Sequence, residues 1–405
     1  MQTIVHDSLS LPPRTAGRRS LKVIALLASV SLVMSACTLT RKPDVDDGSR
    51  QSTVHTYGTP TPPDSGKAPG TYTPDTFTPG TPTPGTPTES PGVQSDSSSR
   101  LVENADPSQR KRIVTSMFDQ AAALGKEGNP SAAIPIYREI EQARGDGIDK
   151  SWGAWAIFYQ ADLQRQMRNP KAAVAAYDRL DQRFGQETDP AIRTIVADAL
   201  YKKGETLTGQ GDTRGAINAF EEIDRRYASD RDAGFRLRAA RALLAKGELL
   251  GKQGTGEEPG SEISSTRPGG DIFAAVAVYD EIIQRFGREK DPNIRNIIGA
   301  TLLKKSEALR LVSDDRGTIT VYNEIDERFG NDSAQFSRVL VATALFRKGL
   351  ALGKLEGASP AALGAFDEVI RRFASDTHPN MRKIVGQAVT ARQRLVAEAE
   401  PKYDN

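Results

Sequence analysis

The stretch from Asp189 to Tyr227, DPAIRTIVADALYKKGETLTGQGDTRGAINAFEEIDRRY, decides the fold. Its first half places Ile192, Ile195, Val196, Ala199, Leu200 and Leu207 at the spacing that lines one face of an α-helix. Asp189 offers a side-chain oxygen to cap that helix. Pro190, at the first helical position, lacks only an N–H that would have no partner there. Gly209 and Gly211 then break the run. A second stripe follows in Ala216, Ile217, Phe220, Ile223 and Tyr227, and it stops at the Ala228-Ser229-Asp230 turn. Two amphipathic helices joined by a tight turn cannot bury their apolar faces alone, so this hairpin needs neighbours.

The neighbours come at regular intervals. The aromatic of the second helix recurs at Tyr137, Tyr177, Phe220, Tyr279, Tyr322 and Phe366, in steps of 40, 43, 59, 43 and 44. The long step holds a Gly-, Pro-, Ser- and Glu-rich stretch at 252–270, and removing about 16 residues there restores the period. Asp106-Pro107 and Asp291-Pro292 repeat the helix start. Phe184-Gly185, Phe286-Gly287 and Phe329-Gly330 read as helix ends, with Gly expected in the left-handed position just past the helix. Pro135 falls within the second helix of the first unit and is expected to interrupt it. From Pro379 to Ala399 a last pattern (Met381, Ile384, Val385, Ala388, Val389, Leu395) reads as a helix. Its charged remainder, Arg382, Lys383, Arg392, Arg394 and Glu398, suits the solvating cap that a stack of repeats requires.

Leu200, Gly204, Ala216 and Phe220 together resemble the tetratricopeptide repeat, a helix–turn–helix unit of about 34 residues. Lys-Gly recurs at Lys203-Gly204, Lys246-Gly247 and Lys348-Gly349, with Lys305-Ser306 as a variant, and Thr318 stands where the close-packing Ala is usual. The resemblance covers roughly 107–375, with a period about nine residues longer, which implies lengthened first helices. It implies an all-α fold: a right-handed α-solenoid of about six hairpins plus a C-terminal capping helix. In this family the first helices line a concave groove. That resemblance makes Tyr201, Lys202, Glu205, Arg241, Glu248, Lys304, Glu307 and Arg347 the candidate groove residues.

Two readings of the groove charges stay open. The pairs Lys202-Lys203, Lys304-Lys305 and Arg347-Lys348 could clamp a peptide carboxylate or an anionic polymer. Alternatively Glu205, Glu248 and Glu307, a few residues on, neutralise them. The second helices repeat Glu222–Arg226, Glu281–Arg285, Glu324–Arg328 and Glu368–Arg372, the favourable helix pairing worth about 0.3–0.5 kcal/mol each, as expected of a solvated outer face. Trp152 and Trp155 open the first helix of unit two and are expected to pack between units one and two.

The amino-terminal third has another composition. A basic region with Arg14, Arg18, Arg19 and Lys22 precedes the uncharged run Val23 to Ala36, which reads as a secretory signal peptide. As a helix this run spans roughly 21 Å, short of a hydrocarbon core of about 30 Å. Met34-Ser35-Ala36-Cys37 resembles the lipobox of bacterial lipoproteins, in which the cysteine is lipidated. The resemblance implies that Cys37 carries the membrane anchor, palmitate included, and that residues 1–36 are removed. Thr38 is not Asp, which in the Gram-negative members implies the outer membrane. From Thr38 to about Ala105 proline, threonine, glycine and serine dominate, with ten of the 24 prolines in 51–100, and apolar area to offset ordering entropy is nearly absent. This stretch is expected to be a disordered linker. The organisation expected is a signal peptide at 1–36, lipidated Cys37 and linker at 37–105, and repeats at 106–400.

Composition narrows the chemistry. The 54 Lys+Arg and 52 Asp+Glu balance, which gives a basic nucleic-acid surface no support. One cysteine makes no internal disulfide, and His6, His55 and His378 are too scattered for a His-rich metal site. No Ser/His/Asp, P-loop or HExxH pattern appears. No catalytic residue, cofactor or metal is expected. The expected function is a lipid-anchored envelope scaffold or adaptor that binds a protein or peptide partner. A binder of cell-wall glycan or anionic polymer is the alternative, and an enzyme acting on the cell wall ranks below it.

Overall fold

The computed structural model describes residues 102, 105–143, 149–255, 270–355 and 359–399. The signal peptide, Cys37 and nearly all of the linker lie outside them. Within the described residues the chain is all helical, with no strand, and runs through thirteen helices. They form six hairpins: α1 (Pro107–Lys126) with α2 (Pro130–Gln142), α3 (Lys150–Gln166) with α4 (Pro170–Phe184), α5 (Pro190–Gly209) with α6 (Thr213–Tyr227), α7 (Ala233–Thr255) with α8 (Gly270–Phe286), α9 (Pro292–Leu311) with α10 (Asp315–Phe329), and α11 (Gln335–Leu352) with α12 (Ser359–Phe373). Helix α13 (Pro379–Ala399) closes the series. Each helix packs on the next, and each first helix also packs on the first helix of the following hairpin. That alternation is a solenoid.

Local chemistry sets the boundaries. Asp106, Asp189 and Asp291 accept hydrogen bonds from the first free N–H groups of α1, α5 and α9, each followed by Pro at the first helical position. Inside the hairpins, Gly128, Arg168, Gly211 and Ser313 take the left-handed conformation, with φ of 78°, 57°, 77° and 61°. Each is followed by Asn129, Asn169, Asp212 or Asp314, whose side chain caps the second helix. The left-handed turn therefore lies within the hairpin. Gly185 and Gly330, expected to be left-handed past the second helix, instead keep a right-handed φ of −61° and −59°.

Two further expectations are corrected. Helix α2 passes straight through Pro135. The ring lies on the exposed face, where the carbonyl that loses its donor can turn to water. The first four residues of the 252–270 stretch belong to α7, which stays helical to Thr255; residues 256–269 lie outside the described ones.

The core repeats as the sequence does. Tyr137, Tyr177, Phe220, Tyr279, Tyr322 and Phe366 are all buried. Each second-helix aromatic needs room under a first helix, and a small residue provides it. A Cβ on Gly204 would stand 2.5 Å from Phe220, one on Gly247 2.5 Å from Tyr279, and one on Gly349 2.5 Å from Phe366. Ser306 fills the same place in hairpin five, fully buried, with its hydroxyl donating to the Leu303 carbonyl at 2.7 Å. Thr318 is likewise buried and donates to the Asp314 carbonyl at 2.7 Å, so the departure from Ala leaves no polar atom unpaired. Trp152 joins the first two hairpins as expected, edge-on to Phe118 at 5.3 Å, while half-buried Trp155 stacks on Tyr159 at 5.6 Å. Helix α13 lies against α11 and α12 and turns Arg382, Lys383 and Arg394 to solvent, as a cap should.

Candidate interaction face on the first helices

Ion pairs repeat with the same period as the aromatics. On the first helices Arg238 on α7 reaches Asp198 on α5 at 2.8 Å, Lys304 on α9 reaches Glu248 on α7 at 3.2 Å, and Arg347 on α11 reaches Glu307 on α9 at 3.0 Å. Each rung bonds one repeat to the next.

The candidate groove residues fall on this face in two linked groups. Arg241 lies over the Tyr201 ring at 5.3 Å, and Tyr201 packs on Phe220 at 5.5 Å. Beside them Lys202 pairs with Glu205 at 2.8 Å. The other group is a continuous chain, Glu248–Lys304–Glu307–Arg347, in which Lys304 lies 3.2 Å from Glu248 and 3.9 Å from Glu307. Helix α7 carries both Arg241 and Glu248 and so ties the groups together. Of the two open readings, neutralisation is the one this geometry shows, because Lys202, Lys304 and Arg347 each hold a carboxylate. An anion reaching them must displace that partner.

The second basic residue of each pair turns elsewhere. Lys203 reaches Asp178 and Lys305 reaches Asp280, each at 2.5 Å, and Lys246 reaches Glu221 at 2.6 Å. In every case the acid directly follows the buried aromatic of the preceding hairpin. Arg392 of the cap keeps the pattern with Asp367 at 2.5 Å. The rung is absent after the first hairpin, where Arg138 follows Tyr137, and after the fifth. Asn323 follows Tyr322, and Lys348 has no carboxylate partner among the described residues.

The second helices hold a ladder that sequence reading missed. Arg226 does bond Glu222 at 2.5 Å within α6, yet it also grips Asp181 on α4 at 2.5 Å. Arg285 joins Asp224 at 2.9 Å, Arg372 joins Asp326 at 2.6 Å, and Arg328 donates to the Gly287 carbonyl at 3.0 Å. A Cβ on Gly185 or Gly330 would crowd Asp181 or Asp326 and the incoming arginine, which accounts for glycine at those helix ends. Ala228 at the matching place still admits the Arg285 pair, so glycine eases the approach without being required. Sequence carried a signal for this ladder: 181, 224 and 326 share the repeat register, as do 226, 285 and 372.

Charge states follow from these contacts. Burial works against the charge on Arg226, but the carboxylates of Asp181 and Glu222 overcome it and hold its pKa above the ordinary value. Hydrogen bonds from Arg225, and then from Arg226, hold the Glu222 carboxyl below the usual range despite partial burial. Burial pushes the Tyr279 phenol well up, and the negative charges of Glu248 and Glu307 add to it. Tyr177 is raised for the same first reason, with Asp162 adding and Arg165 opposing.

Among the described residues no group of three His, Cys, Asp or Glu could hold a metal ion, and no helix is long and apolar enough to cross a membrane. What the fold presents is a repeated, charge-paired face on stacked helical hairpins.

The tetratricopeptide repeat model matches residues 198–230, which run from the middle of α5 past the end of α6. The α5–α6 hairpin thus carries a tetratricopeptide repeat, and the described chain is a stack of such helical hairpins. Similar solved structures include an engineered protein with 14% identity and a TM-score of 0.32, over 74% of this chain and 97% of that one. A thermophilic tetratricopeptide-repeat protein of Thermus thermophilus has 14% identity and a TM-score of 0.30, over 58% and 99%. The TPR2AB domain of yeast Sti1, solved as a complex with pHSP90, has 12% identity and a TM-score of 0.26, over 69% and 99%. Among curated proteins none matches.

Proposed function

We propose that this protein is a scaffold of the bacterial cell envelope, tethered to a membrane by lipid on Cys37, whose first-helix face receives an extended segment of a protein partner. The repeated face itself carries this reading. Six hairpins offer equivalent positions side by side, which suits a partner that runs along the array. Tyr201 and Arg241 supply a flat ring and a planar cation, and the Glu248–Lys304–Glu307–Arg347 chain supplies charges that can exchange partners. Lipid on Cys37 and the proline-rich spacer would leave that face free to meet other envelope proteins.

The test has two parts. Mass analysis of the mature protein should find acyl chains on Cys37, and an unmodified thiol there would overturn the tether. Crosslinking in its own cells should give protein adducts that disappear when Tyr201, Glu248 and Lys304 become Ala, Gln and Gln, with the thermal midpoint within a few degrees of the parent. Unchanged adducts would overturn the face.

A further inference from the structure

The first-helix face changes character at the sixth hairpin. Directly after the small residue that receives the aromatic, hairpins three, four and five carry Glu205, Glu248 and Glu307, and each pairs with a cation on the same face. Hairpin six has Leu350 there, 42% exposed although α13 packs on its helix. Stacking does not demand this leucine, since glutamate serves the same place three times. Leu311, at the end of α9, is 43% exposed. The Glu307–Arg347 pair sets the register between α9 and α11, and one turn further along both helices brings Leu311 level with Leu350. Half-buried Phe346 lies one turn before Leu350 on the same face and packs on Phe366 at 6.0 Å. Two of the four large apolar side chains exposed among the described residues thus belong to one patch.

Its rim is basic. Arg310 precedes Leu311, and Lys354 lies one turn after Leu350. Neither has a carboxylate partner among the described residues. Glu307, one turn before Leu311 on the same helix, is held by Arg347 and Lys304.

We infer that this patch, Leu311, Phe346 and Leu350 with Arg310 and Lys354, is where the partner segment is anchored, and that the segment is an acidic peptide carrying a large aliphatic residue. The aliphatic side chain covers Leu350 and Leu311, and flanking carboxylates complete the charges of Arg310 and Lys354. The inference rests on the proposed role of the first-helix face and assigns its anchor to hairpins five and six.

The probe is a fluorescein-labelled twelve-residue peptide with one leucine flanked by glutamates, titrated into the full chain by anisotropy. Controls replace its leucine by serine or its glutamates by lysine. Binding should weaken at least tenfold for either control and for the variant Leu350→Glu, which restores the residue of the other repeats and so keeps the fold. Arg310→Glu should weaken it similarly and flatten its salt dependence. Arg225→Ala, on a second helix and paired only with Glu222, should leave it unchanged, and the wider groove is read separately by the cell crosslinks of the Tyr201, Glu248 and Lys304 variant. Equal binding of the serine control, or no effect of Leu350→Glu, would overturn the inference. So would a change in sedimentation on Leu350→Glu, because a second copy of the chain would then be the occupant.

Discussion

Replacing Gly204 by alanine adds one methyl group to a helix interior, which in an open place stabilises a helix by about 0.8–1 kcal/mol. Here the added carbon would stand 2.5 Å from Phe220 Cε1 and 2.7 Å from its Cζ. Ordinary carbon contacts lie near 3.5–4.0 Å, so the ring or the helix must yield by about 1 Å. Phe220 is fully buried and also packs on Tyr201, which leaves the ring little room to turn. Overpacking of this size costs about 1–3 kcal/mol, which cancels or exceeds the helix gain and leaves a net loss of about 0–2 kcal/mol. For a domain of this size, with an unfolding entropy of about 0.6 kcal/mol/K, that lowers the thermal midpoint by up to about 3 °C. Gly209, near the end of the same helix, has no atom within 4 Å of the added carbon, so Gly209→Ala should raise the midpoint slightly. Helix α5 thus carries an internal control, read by far-ultraviolet circular dichroism on heating. Combining Gly204→Ala with Phe220→Leu should cost less than the two changes summed, since the smaller side chain frees the space. The packing argument fails if Gly204→Ala stabilises the protein as much as Gly209→Ala does.

The ion-pair ladders give three more expectations. Arg226→Ala removes a guanidinium that bonds Asp181 and Glu222 and is 17% exposed, and should cost about 1–2 kcal/mol in urea unfolding; Ala in place of its neighbour Arg225, 70% exposed, should leave the midpoint nearly unchanged. Equal losses would refute the inter-repeat role. Glu222 and Glu368 are held below the ordinary 4.5 first by hydrogen bonds from Arg225 and Arg371, and Asp230 below 3.8 by Arg193 against the opposing effect of burial. Carboxyls depressed in the folded state contribute stability that is complete above their unfolded pKa and lost as pH falls through the folded one. The urea midpoint should therefore hold from pH 7 to about 5 and decline below about 4.5, less steeply in Glu222→Gln. A midpoint unchanged down to pH 3.5 would contradict this. Asn323→Asp supplies the acid that Lys348 lacks and should stabilise the chain by about 0.2–1 kcal/mol at low salt, with no gain in Lys348→Met.

The sequence made the backbone plan legible because caps and packing are local. Asp189-Pro190 begins a helix wherever it stands, and Gly204 sixteen residues before Phe220 marks one close approach. The turn chemistry was harder to read. Arg168 and Ser313 adopt left-handed backbone at positions where Gly128 and Gly211 also occur, so glycine alone did not mark the place. Pro135 was misread because the cost of proline depends on whether water can reach the orphaned carbonyl, a tertiary fact. The arginine ladder was half read. Glu222 and Arg226 are four residues apart and announce their pairing, whereas Asp181 and Arg226 are 45 apart and meet only through the stack. The candidate face was legible as a set of positions, though not as pairs: Lys304 faces Glu248 across two helices, a neighbour that helical spacing cannot supply.

The rings around Trp152 bear on how such an array responds to salt. Phe118, Tyr137, Trp152 and Tyr159 lock the first two hairpins with contacts indifferent to dissolved ions. The charged rungs at later junctions, Arg226–Asp181, Lys304–Glu248 and Arg372–Asp326, are partly exposed, and electrolyte screens them. Salt therefore loosens those rungs while leaving the aromatic cluster at the entry junction untouched.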